Sequence, residues 1–198
     1  MPDPLPSPWL GLHSEIHPGK SWGTAILTHG LPLRTIPVAS SHPGALLAAE
    51  ISLPGGGTLT AITMYGLIDK HGYATTTVHR MLSDLTPLLN DGAGKRDILL
   101  GGDWNVSIQW DQRYPGKYPA HRLLFDRVED FGLENCTRKV HGKHVATYKK
   151  QGSPVEWQND YLFVSRRLSP ALLTCVIPDN QELRDLSDHS PVVITLDI

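Results

Sequence analysis

Asp103 and Asn105, within Gly101-Gly102-Asp103-Trp104-Asn105, place a carboxylate and an amide two residues apart at the end of the apolar run Ile98-Leu99-Leu100. Asp188 and His189, within Ser187-Asp188-His189-Ser190-Pro191, stand just before Val192-Val193-Ile194. A third polar pair, Asn159-Asp160, opens Tyr161-Leu162-Phe163-Val164. Residues two apart on an extended chain point the same way, so Asp103 and Asn105 are predicted to face one region. A carboxylate there takes a proton from water or binds a hard cation. An amide beside it orients that water by donating and accepting at once. Asp188 and His189 are adjacent and cannot both face one side of an extended chain, so one suits metal and the other substrate. An imidazole needs a carboxylate to fix its tautomer or hold its charge, and Asp160 is the candidate. Protonated histidine beside a divalent metal would suit an anionic, pentacoordinate phosphorus transition state.

Groups at three strand ends converge only if one packed sheet carries them. Strand-like segments are predicted at Trp22 to Leu27, Leu33 to Val38, Gly44 to Leu53 and Thr58 to Leu67, the last two joined by the turn Pro54-Gly55-Gly56-Gly57. Val78, Met81, Leu82, Leu85, Leu88 and Leu89 form one helical stripe, with Thr75 to Thr77 as cap candidates. A second helix is expected from about Pro119 to Phe131, stopped by Gly132. Short strands are expected at Val145 to Tyr148, Tyr161 to Val164, Leu173 to Ile177 and Pro191 to Asp197. Many strands with few helices suggest an α/β sandwich: packed sheets with helices outside. Residues 1–20 are proline-rich, without periodicity, and read as an extended arm ahead of one domain over 21–198.

Gly-Asp-x-Asn at 102–105, the Asp160-Tyr161 strand and the C-terminal Ser-Asp-His-x-Pro-Val, in that order, resemble the endonuclease/exonuclease/phosphatase superfamily. Trp22-Gly23-Thr24-Ala25-Ile26-Leu27 is similar to its early Gly-x-Ala-Ile-Leu strand, and Ile62-Thr63-Met64-Tyr65-Gly66 to its strand ending in an active-site tyrosine. The resemblance implies two packed, mainly antiparallel β-sheets flanked by helices, a four-layer α/β sandwich with its cleft at one end. It also implies a Mg²⁺- or Mn²⁺-dependent phosphodiesterase, nuclease or phosphatase. Asp103 would activate or orient the attacking water and Asn105 would position water and phosphate. Asp160 would pair with His189 at the phosphoryl oxygen, and Tyr65 would donate to the phosphate. Asp188, with Asp103 and Asn105, would belong to the metal site.

The chain departs from that pattern in one respect. The superfamily opens with a strand bearing an active-site asparagine, then one ending in Gln-Glu whose glutamate is the principal metal ligand. Neither motif is present, so the fold is expected to be incomplete at its N-terminal side. A truncated form, a misplaced start and a natural variant with weakened metal binding all fit, and only Glu15 and Glu50 lie near the required place. A catalytically weak or inactive member, retained as a binding module for nucleic acid or phosphorylated ligands, is the alternative function.

Composition narrows the field further. The 198 residues carry a formal net charge of −2 and 40% hydrophobic residues, which suits a cored globular protein rather than a basic nucleic-acid coat. No apolar run approaches the roughly 20 residues of a membrane span, and the start lacks the apolar core of a signal peptide. Two cysteines, Cys136 and Cys175, are too few for a disulfide framework and read as free thiols of a reducing, cytoplasmic setting. The expected partner is a phosphate ester, with nucleic acid among the candidates; oligomeric state is open. Cys136, His141 and His144 have loose spacing and no fourth ligand for zinc, so they read as an exposed loop. Trp104, Trp110, Tyr114 and Tyr118, interleaved with Arg113 and Lys117, read either as a base-stacking loop or as a cleft rim. Lys139, Lys143, Lys149, Lys150, Arg166 and Arg167 read as solvated surface.

Overall fold

The computed structural model describes residues 6–92, 95–115, 119–149 and 154–198. In chain order the strands and helices are β1 (Trp9–His13), β2 (Ala25–His29), β3 (Leu33–Ile36), β4 (Leu46–Ser52), β5 (Thr58–Met64), α1 (Thr75–Asp84), α2 (Thr86–Gly92), β6 (Asp97–Asp103), α3 (Ile108–Arg113), α4 (Ala120–Asp130), β7 (Leu133–Asn135), α5 (Cys136–His141), β8 (Asp160–Ser165), β9 (Leu172–Val176), α6 (Gln181–Leu186) and β10 (Val193–Leu196). A six-stranded sheet runs β3-β4-β5-β6-β8-β7, and two further antiparallel pairs are β1-β2 and β10-β9. Among the described residues only β5-β6 is a parallel pair, because α1 and α2 cross between them. The other neighbours in that sheet are antiparallel. The result is a mixed α/β sandwich of the expected class.

Side-chain alternation sorts the two faces of the large sheet. Leu46, Ala48, Ile62, Met64, Ile98, Leu100, Tyr161 and Phe163 pack with Val78, Met81 and Leu82 of α1 and with Leu124 and Val128 of α4 in the main core. On the opposite face Ile51, Leu59, Ala61 and Val164 form a second cluster, against which Ile26 of β2 and Ile194 and Leu196 of β10 pack. The second layer is two separate strand pairs rather than one continuous sheet. It is narrower than the sheet beneath it, and Leu99 and Leu162, on central strands, are only partly buried on this face.

Local chemistry explains where elements differ from expectation. The single apolar stripe from Val78 to Leu89 is divided between α1 and α2 at Leu85. Pro87 has no amide hydrogen and so cannot extend the ladder of α1. Val145 to Tyr148 makes no strand; Tyr148 forms isolated bridges to Trp157 and to His189. Part of the segment read as an arm is paired: Trp9–His13 runs antiparallel to Ala25–His29. Both cysteines are free and buried, and burial pushes the Cys136 thiol up to about 12.

Gly102 shows why the strand end carrying Asp103 is glycine-rich. Its φ is +136°, and a Cβ there would sit 2.2 Å from the carbonyl oxygen of Met64 on β5. Gly102→Ala therefore combines backbone strain with a backbone clash. It is expected to lower stability by about 2–4 kcal/mol, read as a shifted denaturant midpoint at unchanged slope. A midpoint within experimental error of the parent's would show that β5 and β6 separate freely here.

Candidate active site

Three strand ends meet at one place. β6 and β8 pair so that Asp103 lies opposite Asp160. Where the chain leaves β5, the Gly66 amide donates to Asp103 O at 2.8 Å, and the Trp104 amide donates to Asn159 O at 2.8 Å. Gly66 is required by this contact, because a Cβ would fall 1.8 Å from Trp104 O. Beyond Asp103 the chain turns instead of remaining extended. Asn105 adopts a left-handed φ of 50°, a region asparagine tolerates, and its amide donates to Asp103 Oδ1 at 2.9 Å. Its side-chain Nδ2 donates to Gly66 O at 3.0 Å, which fixes the amide plane and leaves Oδ1 available.

His189 arrives from the other strand pair. Its Nδ1 donates to Asp160 Oδ2 at 2.8 Å, so the pair expected between these residues is formed. Ligand atoms of Asp103, Asp160 and His189 lie within 4.8 Å of one another. The hydrogen bond that His189 donates to Asp160 holds the His189 pKa above its ordinary value, against the opposing effect of burial. Burial first, then the charge of Asp160, pushes the Asp103 carboxyl up to about 6. Two carboxylates crowded into a partly dry pocket repel each other, and a cation relieves that repulsion. The hard oxygen donors present fit a divalent ion such as Mg²⁺ or Mn²⁺.

Other expected site residues are placed less centrally. Asp188 is exposed, and its carbonyl accepts from the Lys149 amide at 2.9 Å. Its charge still reaches both Asp103 and His189. Tyr65 is half-buried with its ring edge-on to Trp22 at 4.8 Å, and among the described residues its hydroxyl makes no hydrogen bond to the site. Neither candidate for an extra carboxylate joins the cluster. Glu50 pairs with Arg34 at 2.7 Å, and Glu15 lines a separate hollow with His13 and Ser14.

Thr147 belongs to the site without any motif that marks it. Wholly buried, its hydroxyl accepts the amides of both Asn159 and Asp160 at 3.0 Å. Its carbonyl accepts from Ser190 at 2.7 Å. Thr147 thus ties the Asp160 strand to the His189 segment, while the Tyr148 ring packs on His189 at 4.8 Å. Thr147→Val keeps the shape and removes the acceptor from two amides. It is expected to cost about 2–6 kcal/mol, at roughly 1–3 kcal/mol for each of the two stranded donors, and to loosen the pair. Urea titration and turnover together check this; unchanged stability would mean both amides find water.

Trp104, grouped by sequence with a surface aromatic loop, is instead fully buried, stacked on Phe125 and Phe163. Trp110 and Tyr114 do lie together, 4.5 Å apart. Tyr118, Lys117 and Lys150 fall outside the described residues. His141 and His144 are tied to Cys175 O and Gln158 Oε1 and form no ligand cluster with Cys136 among the described residues.

No protein-family model matches the sequence, and no curated protein is similar to it in sequence. Solved structures are similar in fold. A 3′ phosphatase, NExo, from Neisseria bound to a product DNA hairpin superposes with a TM-score of 0.70 at 18% identity, covering 96% of this chain and 80% of that one. An AP endonuclease from Archaeoglobus fulgidus gives 0.69 at 16% identity, with the same coverage. An endonuclease/exonuclease/phosphatase protein from Beutenbergia cavernae gives 0.61 at 17% identity, covering 86% of this chain and 46% of that one. The chain has the endonuclease/exonuclease/phosphatase fold.

Proposed function

We propose that this protein is a divalent-metal-dependent hydrolase of phosphate esters, a phosphodiesterase or nuclease. One observation carries the reading: the Asp160–His189 hydrogen bond of 2.8 Å, with the Asp103 carboxylate opposite it in the same cluster. Asp103, fixed by the hydrogen bond from the Asn105 amide, takes the proton from the attacking water. The amide of Asn105, pinned by Gly66, orients that water with its free oxygen. His189, with Nδ1 held by Asp160, presents Nε2 to a phosphoryl oxygen and stabilises the charge that develops there. Tyr65 is the further donor to the phosphate. Asp103, Asn105 and Asp188 would hold Mg²⁺ or Mn²⁺, which lowers the pKa of bound water and offsets phosphoryl charge. No helix among the described residues is long and apolar enough to cross a membrane.

The test is hydrolysis of a panel of DNA, RNA and small phosphodiesters with Mg²⁺ or Mn²⁺. Turnover is expected with either metal and is expected to vanish on chelation and return on metal addition. Full turnover in chelator overturns the mechanism. Binding of these ligands without turnover supports the alternative of a binding module, for which the absence of Glu15 and Glu50 from the carboxylate cluster speaks.

A further inference from the structure

His189 reaches the site on a part of the chain that has little core to hold it. Residues 177–192 join β9 to β10. Within them α6 has no buried residue, Leu186 is 80% exposed, and Ser187 and Asp188 are exposed as well. Apolar packing does not fix such a segment, so polar contacts must. At its far end these are backbone contacts to the neighbouring segment 147–149. The Lys149 amide donates to Asp188 O at 2.9 Å, the Ser190 amide donates to Thr147 O at 2.7 Å, and Tyr148 bridges to His189.

At its near end a single carboxylate gathers the contacts. Asp179 precedes Asn180, the N-cap of α6. Its Oδ1 accepts from Arg184 Nε at 2.7 Å, and its Oδ2 accepts from a terminal nitrogen of the same guanidinium at 2.9 Å. Oδ2 also accepts from Lys149 Nζ at 2.5 Å. Arg184 lies in the last turn of α6, and Lys149 is the residue whose amide holds Asp188. Asp179 thus joins the start of the loop, its helix and the segment on which the Asp188-His189 end rests. The hydrogen bonds from Arg184 and then from Lys149 hold its carboxyl well below the usual carboxylate range, so it stays charged in the folded protein.

Ion pairs at the surface contribute little to global stability. A fork of two bonds from one guanidinium, with a lysine on the same carboxylate, supplies geometry instead. Geometry is what the site needs, because reacting groups must be held to within about 0.5 Å of their productive positions. The other acids of α6 lack this reach. Asp185 accepts from Gln181 of its own helix at 2.7 Å, and Glu182 makes no ion pair among the described residues.

We infer that Asp179 is a positioning residue for the reaction, clamping the loop so that the His189 ring stays on Asp160. What His189 does there rests on the hydrolase reading; where its ring is held does not, and the experiment measures the two separately.

NMR follows hydrogen exchange of the His189 Nδ1 proton in the metal-free protein. In Asp179→Asn that proton is expected to exchange about threefold to tenfold faster, the scale of two partly screened ion pairs, while amides of β5 and β6 keep their rates. Asp179→Glu, which keeps the charge, should return the rate to within about twofold of the parent's. Glu182→Gln should leave it unchanged. Raising salt from about 0.05 to about 0.5 M should speed exchange in the unaltered protein and leave Asp179→Asn unmoved. That arm on the unaltered protein decides the matter should the variant fail to fold. With a phosphodiester and Mn²⁺, kcat of Asp179→Asn should fall about threefold to tenfold with KM within about twofold, because a misplaced group slows turnover without loosening binding. Exchange at the parent's rate in Asp179→Asn, exchange equally fast in Glu182→Gln, or no response of the unaltered protein to salt overturns the proposal. Faster exchange in Asp179→Asn, with no phosphodiester turned over by the unaltered protein, keeps Asp179 in its role and removes the hydrolase reading. Unchanged exchange with brisk turnover does the reverse.

Discussion

Asp103→Asn is expected to yield a protein that is more stable at neutral pH and almost inactive. The Asp103 carboxyl is raised from 3.8 to about 6, chiefly by burial and then by the neighbouring Asp160. Between about pH 4 and 6 the folded chain therefore holds a proton that the unfolded chain has released. Stability falls as pH rises through that window and does not recover above it. At pH 8, without metal, the ionised carboxylate costs on the order of 1–3 kcal/mol, with screening by solvent included. Asparagine removes that cost and keeps an oxygen to accept the Asn105 amide. It cannot accept a proton from water, so turnover is expected to fall about 10²- to 10⁴-fold. Thermal midpoints in chelator at pH 5 and pH 8 check the stability half. The variant should gain most at pH 8 and about half as much at pH 5, midway through the window over which the unfolded chain has released the proton and the folded chain still holds it. Added Mn²⁺ should reverse the order, because an ion that binds only the folded parent stabilises it alone. A parent more stable than the variant at pH 8 in chelator would refute the account of Asp103 as a strained, functional carboxylate.

That opposition between stability and activity also explains what the sequence disclosed. Ile98-Leu99-Leu100 and Tyr161-Leu162-Phe163-Val164 are apolar strands that both end in aspartate, and a core strand has no packing use for a carboxylate at its mouth. Pairing of β6 with β8 brings those two aspartates opposite each other, as the shared cleft required. His189 was legible for the same reason, lying just ahead of the last strand. Thr147 was not, because its role consists of two backbone amides and one carbonyl that no side-chain pattern reports. Trp104 misled because its position between Asp103 and Asn105 suggests the cleft. Just past the end of β6 its ring instead turns inward onto Phe125 and Phe163, and Trp110, a few residues on, packs with Tyr114 and Trp157. The left-handed turn at Asn105 was equally hidden, since asparagine permits that backbone without demanding it. The division of the second layer into two strand pairs could not be read from local pattern, because each pair alternates normally and only the register of the whole sheet shows what it leaves uncovered.

His189→Ala is expected to lower turnover about 10²- to 10³-fold, the usual cost of removing one group that stabilises developing negative charge. Asp160→Asn should cost a similar amount, and the double variant little more than either alone, because the two residues act as one unit. The informative measurement is the pH profile. The Asp160 hydrogen bond raises the His189 pKa above 6.5, so the folded protein keeps the imidazolium to higher pH than the unfolded chain does. The pair's contribution to stability is complete below the unfolded value and is lost as pH rises through the folded one. If the imidazolium faces the phosphate, turnover follows the same sign: it declines on the alkaline side as His189 loses its proton. Asp160→Asn removes the carboxylate that raises the pKa, so the alkaline limb should move to lower pH, and an acid limb set by Asp103 should move the same way because Asp160 also raises that carboxyl. An alkaline limb unmoved by Asp160→Asn would mean that another group sets it. A limb that persists in His189→Ala would exclude His189 altogether, leaving the 2.8 Å bond to Asp160 as a tether for the strand end rather than part of the chemistry.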